Sequence, residues 1–573
     1  MVFNLLTKRI KKVPKLYQSY DHSSDPNCVK PRITSLRREL ASRELDGFIV
    51  PRSDEHMNEY VPPGAERLNW ISGFSGSAGL AIILKDRAAL FVDGRYTLQA
   101  AQQTDTEAFS IHHLIEEPAS DWIEANLAKG ARLGFDPMLH SISARERLDK
   151  ACAKAGAELV ACPDNPLDRV WSDRPEPPLG RISIHGPEHA GRAAADKLAE
   201  LAQSLKEAGA VATILTLTDS IAWAFNIRGH DLPHTPVVLA FAIIHADARP
   251  ALYVRPEKLS PDVKTYLGEL AEIYEPGQLQ AHLGKLGADG CTVRLDPARC
   301  PYGIAQSLTE AGAKIQHGED PCIAPKAQKN ETEIEGARAA HLIDGAALTR
   351  FLAWLDRTAP GGGVTEISAA EHLEACRRDT GKLRDISFDT ISGAGPNGAI
   401  VHYRVNRISD RALGDGELYL VDSGGQYEFG TTDVTRTVAI GAPPPEAVRH
   451  FTLVLKGHIA LARARFPKGT TGLQLDCLAR NALWQAGLDF DHGTGHGVGS
   501  FLSVHEGPQS ISKAGKAALV PGMILSNEPG FYREGAYGIR IENLMLVHEP
   551  GAIEGGERPM LGFETLTLAP IAL

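Results

Sequence analysis

The 573-residue chain lacks any run approaching the ~20 uninterrupted apolar residues of a membrane-spanning helix, which leaves no helical membrane anchor to explain. Basic charge is not in excess either: 60 Lys and Arg against 71 Asp and Glu leave a net charge of −11. Nucleic acid is thereby disfavoured as a partner, because its binding face needs a basic stripe. Cysteine is scarce, with eight residues: Cys28, Cys152, Cys162, Cys291, Cys300, Cys322, Cys376 and Cys477. None forms a C-x-x-C pair or joins a His/Cys cluster of zinc spacing, which excludes a disulfide framework and a thiolate metal site and suits reduced thiols in the cytoplasm. The first residues show neither the apolar core of a signal peptide nor the Arg- and Ser-rich make-up of a transit peptide. Lys8, Arg9, Lys11, Lys12 and Lys15 read instead as a frayed tail, or as the product of a start codon placed too early. What remains is an ordinary globular composition, 43% apolar and 23% charged, long enough for three or four domains.

Hydrophobic spacing divides the chain. After a tail over residues 1–30, Ile33, Leu36 and Leu40 predict an amphipathic helix, followed by the apolar strand GFIV. LAIILKDRAALFVDGRY predicts a hairpin closing at Asp93-Gly94. The Pro- and Asp-rich stretch between Pro163 and Pro187 reads as a linker. Beyond it the pattern returns: a helix starting near His189 with Leu198, Leu201 and Leu205 on one side, then the strand VATILTL. Each half also carries a polar turn with Asp (Ser53-Asp54, Thr218-Asp219) and then a Trp (Trp70, Trp223), a weak internal repeat that suits duplicated α/β domains over 31–165 and 166–325. A third unit, 326–573, opens on Asn330 and Glu333 at capping-box spacing, with a helix running to just before Pro360. The remainder is Gly-rich and strand-dominated, with one clear helix over Phe451–Phe466.

The chemistry falls between His402 and Glu542. GELYLVDSGG puts Asp422 at the end of an apolar strand, and TTDVTRTVAI puts Asp433 at the start of the next. A single Asp near a hairpin is ordinarily a turn residue, yet carboxylates at buried strand tips are costly unless paired or bound to a cation. In DHGTGHGVG, His492 and His496 are four apart, but the alternating glycines each cost a helix ~1 kcal/mol, so the segment is not a helical zinc motif. His505 follows in VHEGP. MILSNEPGFY ends a strand at Glu528, and in YGIRIENLMLV the period of two puts Arg540 and Glu542 on the face opposite Ile539 and Ile541. Four carboxylates and an imidazole (Asp422, Asp433, Glu528, Glu542 and His496) cannot share a pocket without counter-charge. Two divalent cations meet that need, and oxygen-dominated ligation favours Mn²⁺, with Zn²⁺, Co²⁺ or Fe²⁺ compatible.

At these residues the C-terminal unit resembles the pita-bread metallopeptidases: HGTGHGVG, NEPG and the final R-x-E follow the Asp…Asp hairpin in the family's order. GFIVPRSDEHMNEYVPPGAERLNWISGFSGSAG and DSIAWAFNIRGHDLPHTPV extend the resemblance to the long, three-domain Xaa-Pro aminopeptidases. It implies an α/β architecture of two creatinase-like N-terminal domains before a pita-bread catalytic domain. The activity implied is an exopeptidase that removes the residue before a penultimate proline, using a hydroxide that bridges two metals. Asp422, Asp433, His496, Glu528 and Glu542 become the metal ligands, with Glu528 also the general base. His402 would line the substrate entrance and aid proton transfer, His492 would border the proline pocket, and His505 would hydrogen-bond the scissile carbonyl. Arg540 would steady the carboxylates. Peptide substrates, a homodimer and the cytoplasm follow from the same resemblance. Competing readings are a metal-free binding protein on this fold, for which ligand losses are expected, and prolidase or methionine aminopeptidase, which carry fewer leading domains.

Overall fold

The computed structural model describes residues 16–21 and 25–571. Most of the basic stretch, through Lys15, therefore lies outside the described residues. Residues 17–20 do not behave as a frayed tail. Gln18 exchanges hydrogen bonds with the Thr390 backbone, the Tyr17 amide donates to Glu374, and Tyr20 is buried.

The first domain begins with α1 (Val29–Ser42), whose Val29, Ile33, Leu36 and Leu40 recur at helical spacing and are all buried. Each such side chain contributes about 1.5–3 kcal/mol of burial. Six strands follow: β1 (Gly47–Pro51), β2 (Gly79–Leu84), β3 (Ala88–Val92), β4 (Ser110–His113), β5 (Arg132–Phe135) and β6 (Glu158–Ala161). They lie in the order β4-β3-β2-β1-β5-β6. The β2–β3 hairpin turns at Lys85–Arg87 rather than at Asp93-Gly94, since Ile83 pairs with Ala88. Asp93 and Gly94 instead leave the end of β3 as a loop that runs toward the C-terminal module.

The second domain repeats this plan. Its helix α2 (Ala194–Glu207) buries Leu198, Leu201 and Leu205. Its strands are β7 (Ala212–Leu215), β8 (Phe241–His245), β9 (Ala251–Tyr253), β10 (Glu272–Tyr274), β11 (Thr292–Leu295) and β12 (Lys314–His317). Their order, β10-β9-β8-β7-β11-β12, is that of the first sheet moved on by six. The parallel and antiparallel pairings also match: β1 and β7 each take one antiparallel and one parallel neighbour. Thr218-Asp219, expected as a turn, opens a short helix that continues to Ala224.

The C-terminal module starts with α3 (Glu331–Thr358), held at its N-terminus by reciprocal Asn330–Glu333 hydrogen bonds. Two helices were not expected: α4 (Glu366–Arg378) and α6 (Gly472–Trp484). Between them, α5 spans Pro445–Ala462 rather than Phe451–Phe466, because Pro445 suits the first helical position, where no N–H is needed. These helices flank β13 (Ile391–Ala394), β14 (Leu418–Ser423) and β15 (Val434–Ala439), which form one antiparallel sheet. A second sheet, ordered β17-β16-β18-β21-β22, joins β16 (Gly495–Gly497), β17 (Glu506–Ile511), β18 (Ile524–Asn527), β21 (Asn543–Gly551) and β22 (Met560–Thr565). The hairpin β19 (Gly530–Arg533) and β20 (Tyr537–Arg540) sits beside them. No helix among the described residues is long and apolar enough to cross a membrane, and all eight cysteines are free thiols.

Candidate active site

In β14–β15 the antiparallel register sets Asp422 opposite Thr435, and Asp433 sits at the entry to β15, at the same end of the pair. Both carboxylates are buried. The glycine alternation around His496 has a packing cause. A Cβ at Gly495 would collide with the Ser526 carbonyl, and one at Gly497 with that of Glu506, so the strand fits only without side chains there. His496 is thereby pinned between β17 and β18, with Nε2 3.5 Å from Asp433 Oδ2 and 3.4 Å from Glu528 Oε1. Asp433, His496 and Glu542 offer ligand atoms that all lie within 4.8 Å of one another. Ile539 and Ile541 pack into the core while Arg540 and Glu542 face the site, as the two-residue period predicts.

Polar neighbours steady the carboxylates. Arg540 Nη2 donates to Asp422 Oδ2 at 2.7 Å, Thr435 Oγ1 to Glu542 Oε2 at 2.7 Å, and Ser526 Oγ to Glu528 Oε1 at 3.0 Å. The cluster is nonetheless short of positive charge. Burial pushes the Asp422 carboxyl up to about 6 although Arg540 pulls the other way. Burial, then Asp433, Asp422 and Glu528, hold Glu542 well above the usual carboxylate range. Burial opposes a charge on His496, yet Asp433 and Glu528 raise it to about 9. Asp422 Oδ1 and Asp433 Oδ1 are buried without a hydrogen-bond partner. Orphaned carboxylate oxygens inside an over-acidic, oxygen-rich cluster match the donor set of hard or borderline divalent cations, so the residues present fit such ions.

Around this cluster lies a cavity of about 960 Å³ whose wall includes His402, His492, His505 and Arg540. His492 Nδ1–H donates to the Gly493 carbonyl and its Nε2 accepts from the Tyr532 hydroxyl, which itself accepts from Arg540. Burial and Arg540 hold that ring neutral, its pKa lowered to about 3. Burial, with Arg95 and Arg540, likewise keeps His402 far below its ordinary value. His505 Nδ1 donates to Glu59 Oε2 at 2.7 Å. Every residue singled out from the sequence thus lines one cavity.

Sequence reasoning missed the contribution of the first domain: Glu59, Ser77, Arg95 and Tyr96 also line the cavity. Tyr96 meets His402 at 2.8 Å, and Gly94 abuts Asp491, where a Cβ would lie 3.3 Å from the Asp491 side chain. Glu59 and His505 are 446 positions apart, so no local spacing could announce their contact.

Residues 335–549 match metallopeptidase family M24, and residues 32–169 and 173–333 each match the creatinase/prolidase N-terminal domain. Fold and site thus define a metallopeptidase with two such domains in front. The chain is 40% identical over 561 residues to a probable Xaa-Pro aminopeptidase P of Paracoccidioides brasiliensis, covering 94% of this chain and 91% of the relative. It is 41% identical over 564 residues to the corresponding protein of Sordaria macrospora, with the same coverage. An X-prolyl aminopeptidase of Caenorhabditis elegans, described as a cytosolic enzyme with a di-nuclear active site, superposes with a TM-score of 0.90 at 34% identity. That match covers 95% of this chain and 91% of the nematode one. The chain belongs to the Xaa-Pro aminopeptidase P family.

Proposed function

We propose that this chain is a metal-dependent exopeptidase that releases the first residue from peptides with proline in the second position. The observation that carries the reading is the cluster of four carboxylates and one imidazole, with Asp422, Asp433 and Glu542 buried and two of their oxygens orphaned, opening into a peptide-sized cavity. In this reading residues 31–165 and 166–325 frame the cavity and 326–573 carry the chemistry. Asp422, Asp433, His496, Glu528 and Glu542 hold two divalent ions, Mn²⁺ by preference for an oxygen-rich set. When bound, the ions supply Lewis acidity and lower the pKa of a water toward neutrality.

The chain's own residues do the rest. Glu528 takes the proton of the attacking water on its carboxylate, oriented by the Ser526 hydroxyl. His505, with Nδ1–H held by Glu59, donates from Nε2 to the scissile carbonyl oxygen as negative charge develops there. Glu59 balances the imidazolium this requires; burial works against its carboxylate, but His505 beside it keeps it ionised. Arg540 fixes Asp422 and, through Tyr532, the neutral ring of His492. His492 and Tyr532 border the proline ring, which offers no N–H to a conventional backbone acceptor. His402 assists proton transfer at the substrate entrance. A homodimer and a cytoplasmic setting accompany this reading, on the resemblance alone.

Assaying Arg-Pro-Pro beside Arg-Ala-Ala, with metal content measured on the same sample, tests the reading. Release of Arg from the proline peptide alone, by protein holding two metals per chain, is the expected result. Equal rates on both peptides reject proline selectivity, and full turnover after rigorous chelation rejects the metal centre.

A further inference from the structure

A continuous chain of hydrogen bonds in the cavity wall joins two of the histidines through the first domain. His402 Nδ1 lies 2.8 Å from the Tyr96 hydroxyl, and that hydroxyl lies 2.8 Å from Ser77 Oγ. Ser77 Oγ lies 3.1 Å from Glu59 Oε1, and Glu59 Oε2 lies 2.7 Å from His505 Nδ1. All five side chains line the cavity.

Counting protons gives the chain a direction. An ionised carboxylate only accepts, so Ser77 donates to Glu59. That uses the single Ser77 proton, and Ser77 Oγ then accepts from the Tyr96 O–H. With its own proton spent, the Tyr96 oxygen accepts from His402 Nδ1–H. The reverse direction would need a donor at Glu59. Burial alone would favour a protonated Glu59, but His505 and Arg95 hold the carboxyl down. His402, kept neutral by burial and by Arg95 and Arg540, carries its one ring proton on Nδ1 and a lone pair on Nε2.

We propose that Tyr96 and Ser77 are positioning residues that act through His402, locking its ring in the Nδ1–H tautomer so that Nε2 serves as an acceptor in the peptide cavity. The proposal rests on the peptidase reading above and adds a substrate consequence. In an Xaa-Pro-Yaa peptide the proline nitrogen has no hydrogen, so the first amide proton downstream of the scissile bond belongs to Yaa. An Nε2 acceptor suits that N–H. An Xaa-Pro dipeptide has none, and the lock therefore favours peptides of three or more residues.

The test uses Mn²⁺-loaded full-length protein and four variants: Tyr96→Phe, Ser77→Ala, Ser77→Thr, and Tyr96→Phe combined with Ser77→Ala. Tyr96→Phe and Ser77→Ala should each lower kcat/KM on Arg-Pro-Ala, whose third residue carries the N–H, by about 10- to 100-fold at unchanged metal content, the scale of a mis-set acid–base group. Ser77→Thr keeps the hydroxyl and should recover to within about threefold of the parent, while the double variant should fall no further than the worse single, since both break one chain. In ¹⁵N-histidine spectra of the diamagnetic Zn²⁺-loaded proteins, assigned with His402→Gln, the His402 signal should show Nδ1–H in the parent and mixed tautomers in Tyr96→Phe. Losses that multiply in the double variant, an unchanged His402 tautomer, or Tyr96→Phe at more than half the parental kcat/KM would each overturn the proposal. If Tyr96→Phe fails to fold, the contrast between Ser77→Ala and Ser77→Thr decides. A parent protein that leaves Arg-Pro-Ala intact would refute the peptidase reading, while the tautomer spectra would still judge the hydrogen-bond chain.

Discussion

The two N-terminal sheets have one strand order and one pattern of parallel and antiparallel pairing, yet their loops do different things to the catalytic module. The first domain sends Glu59 and Tyr96 onto the cavity histidines His505 and His402. The second grips structure around the site instead. Arg228 is fully buried and donates to the carbonyls of Phe501 at 2.5 Å and Ser500 at 3.0 Å, and His234 sits between Asp385 and Asp389. Lys326, on the connection that follows, bridges Asp219 and Glu506 at 2.8 Å each. A duplicated scaffold has thus been put to two uses through its loops: one copy meets the cavity histidines, the other braces the segments around the cavity.

The largest effect should come from the catalytic module and sets the scale for the contrast. Glu528→Gln should leave a folded protein with turnover reduced by more than the ~10²–10⁴ of a general base, because the proposed reading also makes Glu528 a metal ligand. Steady-state assays on Arg-Pro-Pro, with circular dichroism to check folding, would read this, and near-normal turnover would remove Glu528 from the mechanism.

Next should come the first domain. Glu59→Gln leaves His505 without its counter-charge and should lower kcat by roughly 10²-fold, with the melting temperature nearly unchanged, because both side chains are partly exposed to the cavity. A loss confined to KM would argue against electrophilic assistance by His505.

The second domain should respond in the opposite way. Arg228→Met leaves two buried carbonyls without their charged donor and should cost about 2–4 kcal/mol of stability. Catalysis by the protein that remains folded should stay within a few-fold of the parent. If denaturant curves show full stability while kcat collapses, the division of labour between the two domains is wrong.

The smallest expected effect is a pH dependence. Burial opposes charge on His234, but hydrogen bonds to Asp385 and Asp389 raise its pKa to about 9. A raised folded-state value means that the stabilisation is complete below the unfolded value near 6.5 and is lost as pH rises through about 9. The melting temperature should therefore fall between pH 7 and pH 9.5 by an amount equivalent to ~2 kcal/mol, and His234→Asn should flatten that slope. An equal slope in the variant would assign the effect to another group.

Much of the catalytic module was legible before any coordinates, for a physical reason. Strand tips such as Asp422 and Asp433, the glycine-spaced His496 and the alternating Ile539, Arg540, Ile541 and Glu542 announce themselves over a few residues. Backbone period decides which way each side chain faces. Helix limits were less legible: α5 starts six residues before the expected Phe451, at a proline that reads as a breaker in sequence and as a helix start in the fold. The roles of Glu59, Ser77 and Tyr96 had no local sign. Tyr96 lies 306 positions from His402, and only the packing of the first domain against the C-terminal module brings them together.

Composition and local pattern by themselves therefore determined the class of chemistry: carboxylates too costly to bury without cations, and a strand framework able to carry them. Tertiary structure alone decided how the non-ligand histidines are set, because a ring's proton location depends on which partner its other nitrogen meets. For His402 and His505 those partners come from a domain hundreds of residues away in the chain.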